Sequence, residues 1–110
     1  RLRDHLAMAG EWVTEVQAEP GWEVMAPCPM ATPVFRYAPE GVEGGDADGL
    51  NQAIMDRVNR SGVAFLSHTR VRGSLALRLS IGNLKTTRVH LARTWEALKE
   101  AATREAARLS

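Results

Sequence analysis

Between Ser74 and Asn83 the chain reads SLALRLSIGN, in which Leu75, Leu77, Leu79 and Ile81 alternate with Ala76, Arg78, Ser80 and Gly82. Side chains along a strand point alternately to its two faces. The pattern therefore predicts a strand with one aliphatic face. Its other face is small, with an arginine at the centre. The preceding VAFLSHTRVRG reads as a second strand that turns near Gly73. A two-residue turn would set Ser67 and Thr69 on the face of Arg78, and a three-residue turn would reverse them. The sequence allows both.

Elsewhere the rhythm is helical. Leu2, Leu6, Ala9, Val13 and Val16 form one apolar stripe, ended by Glu19–Gly21, where Pro20 disfavours helix in the residue before it. WEVMAPCPMATPVFRYAP, from Trp22 to Pro39, mixes strand formers with Pro27, Pro29 and Pro33. Proline removes a ladder donor, so this is expected as an edge or interrupted strand, with Val34–Tyr37 its best piece. Glu40–Gly49 reads as a loop by its glycines and acids. Asp46 or Asp48 could cap the next helix, on which Leu50, Ile54 and Val58 share a face. Gly62 is placed to stop it. A last helix begins at Thr86–Thr87 with a stripe of Leu91, Trp95, Leu98, Ala102, Ala106 and Leu109. The order helix, strand, helix, strand, strand, helix predicts an α+β fold. We expect a small two-layer sandwich, an antiparallel sheet of about three to four strands with helices on one face. The face of Arg78 is left uncovered.

At 110 residues the chain has the size of one domain, spanning 1–110. With 45% hydrophobic and 25% charged residues it is not a disordered sequence. A formal charge of +1 gives no electrostatic case for nucleic acid or an anionic membrane as partner. No apolar run approaches the ~20 residues that span a bilayer, and no secretory signal is visible. The single cysteine, Cys28, lies between two prolines and reads as a loop thiol. One cysteine excludes an internal disulfide and fits a reducing, cytoplasmic location. No spacing resembles a metal site, and no glycine-rich phosphate loop occurs. Both ends are in helical rhythm and no initiator Met opens the chain, so a piece of a longer polypeptide is expected.

Arg78 is the first candidate for chemistry. A guanidinium is a planar fork that matches a carboxylate and stays charged when poorly solvated. Small neighbours at Ala76 and Ser80 leave room for a ligand or another domain. A structural ion pair is the alternative. His68 shares its face with Leu66 and Arg70 and is either a hydrogen-bonded structural residue or part of a substrate-site rim. His5 and His90 read as surface residues. Trp12, Trp22 and Trp95 read as core or domain-interface anchors. Arg60, Arg70 and Arg72 are turn-region charge without the interleaved aromatics of a nucleic-acid surface.

The stretch AFLSHTRVRGSLALRLSIGNLKTTRVHLARTWEAL, Ala64 to Leu98, resembles the end of the group II pyridoxal-phosphate-dependent decarboxylases, the family of aromatic-L-amino-acid, histidine and glutamate decarboxylases. The features are an LR in the penultimate element, a short turn, a threonine-rich cap and a helix carrying a Trp. LRDHLAMAGEWVTEVQAEPGWEVMAPCPMATPVFRY upstream is similar too, and AFLSHTRVRG looks nearer the aromatic branch. The resemblance implies the C-terminal small domain of a fold-type-I enzyme. Such a domain packs on a large pyridoxal-phosphate-binding domain of the same chain, in a homodimer acting on an amino-acid substrate. It implies a substrate-binding role for Arg78. Decarboxylation removes charge from the α-carboxylate, so an arginine gripping that group favours the ground state. Arg78 would orient and select substrate rather than catalyse. The family's Schiff-base lysine lies beside a histidine in the large domain. Lys85 and Lys99 are the only lysines here and neither follows a histidine. No catalytic, cofactor-binding or metal residue is therefore expected in this chain, which should be inactive and cofactor-free alone. The competing expectations are a free-standing α+β module that binds a small ligand or dimerises, and an assembly domain without a ligand.

Overall fold

The structure is a computed structural model that describes residues 2–26, 32–79 and 88–109. Pro27, Cys28, Pro29, Ser80, Ile81, Gly82, Lys85 and the Thr86–Thr87 cap lie outside the described residues, as do the side chains of Leu2, His5 and Leu6. In chain order the described elements are α1 (Leu2–Ala18), β1 (Trp22–Ala26), β2 (Val34–Tyr37), α2 (Gly44–Ser61), β3 (Ser67–Val71), β4 (Ser74–Arg78) and α3 (Arg88–Arg108). The strands form one antiparallel sheet in the order β1-β2-β4-β3. The helices pack on one face of it, as the expected α+β sandwich requires.

The proline-bearing segment holds two strands rather than one. They pair with each other from Trp22↔Tyr37 to Ala26↔Val34, with an irregularity between Val24 and Ala26. The second of them, β2, is interior to the sheet, not an edge. It escapes the proline penalty because Pro33 precedes its first residue and accepts instead of donating: the Leu79 N–H bonds the Pro33 carbonyl at 3.1 Å. The β3–β4 strands are joined through a two-residue turn, with Val71↔Ser74 its last pair. Arg72 and Gly73 both have positive φ, 50° and 84°. These are the angles of the hairpin turn whose twist matches the strands. β3 is shorter than the sequence pattern suggested. Asn59 of α2 accepts from the Leu66 N–H at 2.7 Å and donates to the Leu66 carbonyl at 3.0 Å, taking the place of a strand neighbour. Phe65 before it points outward, 77% exposed.

The core is built on aromatic rings from four elements. Trp12 packs edge-on to Phe35 with centroids 5.0 Å apart, and Trp95 edge-on to Trp22, also at 5.0 Å. Edge-to-face pairs of this kind exploit the ring quadrupole. The Trp12 indole N–H donates to the Leu91 carbonyl at 3.3 Å. On α1 the buried stripe is Met8, Ala9, Trp12 and Val16, while Val13 is only half-buried. Leu109, one residue past α3, is exposed, and on α3 the buried Glu105 joins the packed face through an ion pair with Arg57 at 2.8 Å.

α2 starts at Gly44, so the expected loop to Gly49 is shorter. Glu43 stands at its N-cap with no side-chain cap hydrogen bond. Neither Asp46 nor Asp48 is the cap. Asp48 serves the sheet instead, accepting from the Leu75 N–H at 2.9 Å. Leu50, Ile54 and Val58 are buried, and Gly62 ends the helix with φ 78°.

The β2–β4 ladder has only two pairs, Val34↔Arg78 and Phe35↔Leu77. Beyond them the strands part, and Tyr37 and Leu75 would face each other with unpaired backbone. Asn51, fully buried, fills the gap. Its amide oxygen accepts from the Tyr37 N–H, and its NH2 donates to the Tyr37 and Ala47 carbonyls, each at 2.8 Å. Stranding two buried backbone groups costs ~1–3 kcal/mol each. Asn51→Ala should therefore lower stability by about 3 kcal/mol in urea unfolding. Asn51→Asp keeps the acceptor but sets an oxygen against two carbonyls, and should be no better. A loss below about 1 kcal/mol for both would show that the amide is dispensable.

Candidate functional site

Arg78 closes β4, an interior strand, with Ser67 of β3 on one side and Val34 of β2 on the other. The two-residue turn decides the open question of register. Ser67, Thr69, Ala76 and Arg78 share the face away from the helices. His68 pairs with Leu77 and Arg70 with Leu75, so both lie on the helix side. His68 is exposed there because β3 is an edge. The sheet thus separates the two candidates, and Arg78 and His68 do not form one site.

On its own face Arg78 is exposed and donates from Nε to the Ser67 hydroxyl at 3.1 Å. No carboxylate among the described residues lies within ion-pair distance of it. Arg36 on the same face is matched inside the chain, by Glu23 at 2.9 Å. This ion pair was not foreseen from sequence, although Glu23↔Arg36 are direct cross-strand partners. The face is not wholly bare. Ala76 is fully buried between longer neighbours, with Thr69 opposite it on β3.

The hairpin that carries Arg78 is tied to α2 at its base. Asp48 holds the Leu75 N–H and also pairs with Arg70 at 3.2 Å. The Leu75 N–H, then the Arg70 guanidinium and the charge of Arg36, hold the Asp48 carboxyl below its ordinary range.

Three surface clefts, of about 140, 330 and 380 Å³, lie along the helices, and neither Arg78 nor His68 lines any of them. Among the described residues no cluster of His, Cys, Asp and Glu could hold a metal. No described helix is long and apolar enough to cross a membrane. Lys99 of α3 is half-buried. Its ammonium pairs with Glu96 at 3.0 Å and lies 5.2 Å from the Trp95 ring centroid. His90 is half-buried rather than a surface residue. An amine engaged in this way by a carboxylate and a ring does not fit the Schiff-base lysine of a pyridoxal phosphate site.

No family model matches the chain. It is 33% identical over 101 residues to phenylacetaldehyde synthase of Arabidopsis thaliana, covering 92% of this chain and 21% of that protein. It superposes on the crystal structure of Oryza sativa TDC with PLP and tryptamine at a TM-score of 0.87 and 30% identity, covering 94% of this chain and 22% of that one. Catharanthus roseus tryptophan decarboxylase in complex with L-tryptophan gives 0.86 and 26%, with the same coverage. The chain is thus similar to a segment of the group II pyridoxal-phosphate-dependent decarboxylases, the family its sequence resembles. Within that class its similarity is to the plant aromatic amino acid decarboxylases, and it spans about a fifth of the length of these curated relatives.

The Asp48 anchor has a pH signature. A carboxyl with a lowered folded pKa contributes stability that is complete above its unfolded value and lost as pH falls through the folded one. Asp48→Asn keeps an acceptor for the Leu75 N–H but cannot titrate. It should unfold at lower urea than the native chain near neutral pH, and the gap should close below about pH 4. A gap that stays constant into acid would mean that Asp48 contributes nothing through its charge.

Proposed function

We propose that this chain is the C-terminal small domain of a pyridoxal-phosphate-dependent decarboxylase of aromatic L-amino acids. It packs with its open sheet face on a large domain of the same polypeptide and closes one side of the active site. The observation that carries this reading is the match over 94% of the chain, at a TM-score of 0.87, to an enzyme solved with PLP and tryptamine. The cofactor and the lysine that binds it belong to the large domain in this reading, so the 110-residue chain alone releases no CO2. A homodimer and a cytoplasmic location belong to the same proposal.

Arg78 is assigned to the substrate carboxylate. Two features support it: an interior strand and a guanidinium that pairs with no acid among the described residues. An aromatic amino acid carries only the carboxylate that leaves. Gripping it strengthens substrate binding more than it lowers the barrier. Arg78 therefore orients and selects, and its loss should appear in KM. His68, on the other side of the sheet, has at most a rim role.

The test is CO2 release by the full-length enzyme from L-tryptophan, L-tyrosine and L-phenylalanine. Arg78→Ala should lower kcat/KM on the best of these about 30- to 1000-fold, mostly through KM. Unchanged kinetics would remove Arg78 from the substrate site. No decarboxylation by the unmodified enzyme would overturn the functional reading itself.

A further inference from the structure

We infer that Ser67 is a positioning residue that sets the orientation of Arg78. The inference rests on the reading of Arg78 as a carboxylate ligand. The Leu79 N–H points to β2, where it meets the Pro33 carbonyl. Backbone groups alternate in direction along a strand. The Arg78 N–H therefore points to β3, and Arg78↔Ser67 is a backbone-bonded pair. Their side chains stand on the same face, and the serine hydroxyl takes the Nε–H at 3.1 Å.

A guanidinium offers two edges to a carboxylate, a side edge made by Nε and one Nη, and an end edge made by the two Nη atoms. Ser67 occupies Nε and so closes the side edge. Only the end edge stays open. Ser67 thereby selects one approach for the carboxylate and removes the entropy of a freely rotating side chain. Thr69 and Ala76, the next pair on that face, are short. The hairpin turn is what brings the hydroxyl there, since one residue more or fewer would turn Ser67 to the helix side.

The carboxylate could be that of the substrate or one from the rest of the polypeptide. A double-mutant cycle in the full-length holoenzyme separates them, using Ser67→Ala, Arg78→Ala, the pair, and Ser67→Thr. For each, KM and kcat for the best of L-tryptophan, L-tyrosine and L-phenylalanine are measured, with inhibition by the corresponding carboxylate-free amine and the melting temperature. Ser67→Ala should raise KM about tenfold, the worth of a hydrogen bond to a charged group, and leave kcat and amine inhibition within about twofold. Ser67→Thr, which retains the hydroxyl, should restore KM. Adding Ser67→Ala to Arg78→Ala should change nothing further. Coupling of the two substitutions in melting temperature, with KM unmoved, would keep Ser67 as the positioner but make the carboxylate a protein one. Arg78→Ala without effect on KM would then overturn the substrate reading alone. Additive effects in both readouts, or equal weakening of amine and amino acid, would overturn the role of Ser67.

Discussion

A sheet that splits in its middle must do something with the backbone it exposes. Here β2 and β4 share two residue pairs and then part, which leaves Tyr37 and Leu75 facing a gap beneath a helix. Unpaired peptide groups are too costly to leave buried. Asp48 and Asn51 of α2, three residues apart and so on one helix face, enter the gap and serve both strands. Asn59, two turns on, does the same for Leu66. The helix is thus bolted to the sheet at several points along its length by directional bonds, whereas apolar contact alone would let it slide.

The hairpin's placement decides where Arg78 stands. A guanidinium on an interior strand has neither the reach nor the freedom of one on a loop, which is what a group that orients a ligand requires. Among the described residues it has a hydroxyl and no acid, and it lines none of the three clefts along the helices. A charge left so, on the face opposite the helices, is the mark of a surface completed by something else. In the proposed enzyme that surface meets the large domain, and the helical layer remains outside it.

The sequence made the alternation of β4, the stripe of α2 and the stop at Gly62 readable because each rests on short-range periodicity or on glycine's freedom at positive φ. The separation of His68 from Arg78 was readable only as one of two alternatives, since parity along a hairpin depends on a turn length that the pattern left open between two residues and three. Three features were not. The proline-bearing segment concealed a second strand, because the carbonyl of Pro33 still accepts where its nitrogen cannot donate. Asp48 looked like a helix cap, the local use of an aspartate, while its partner lies 27 residues away. The roles of Asn51 and Asn59 rest on backbone groups of the sheet that no local pattern announces. The one available signal was that Asn51 sits in the run of buried positions with Leu50, Ile54 and Val58. The large domain and the cofactor came only from resemblance, since nothing in these residues holds either.

The bolting of α2 into the split sheet is tested most directly by amide hydrogen exchange. The Tyr37, Leu66 and Leu75 amides have no strand partner, only a side chain of α2. If the side chains replace the ladder, these three amides exchange as slowly as those of the ladder-paired residues Phe35 and Leu77. If they exchange as fast as the outward-facing edge amides of His68 and Arg70, the bolts do not hold and the placement of Arg78 must have another cause.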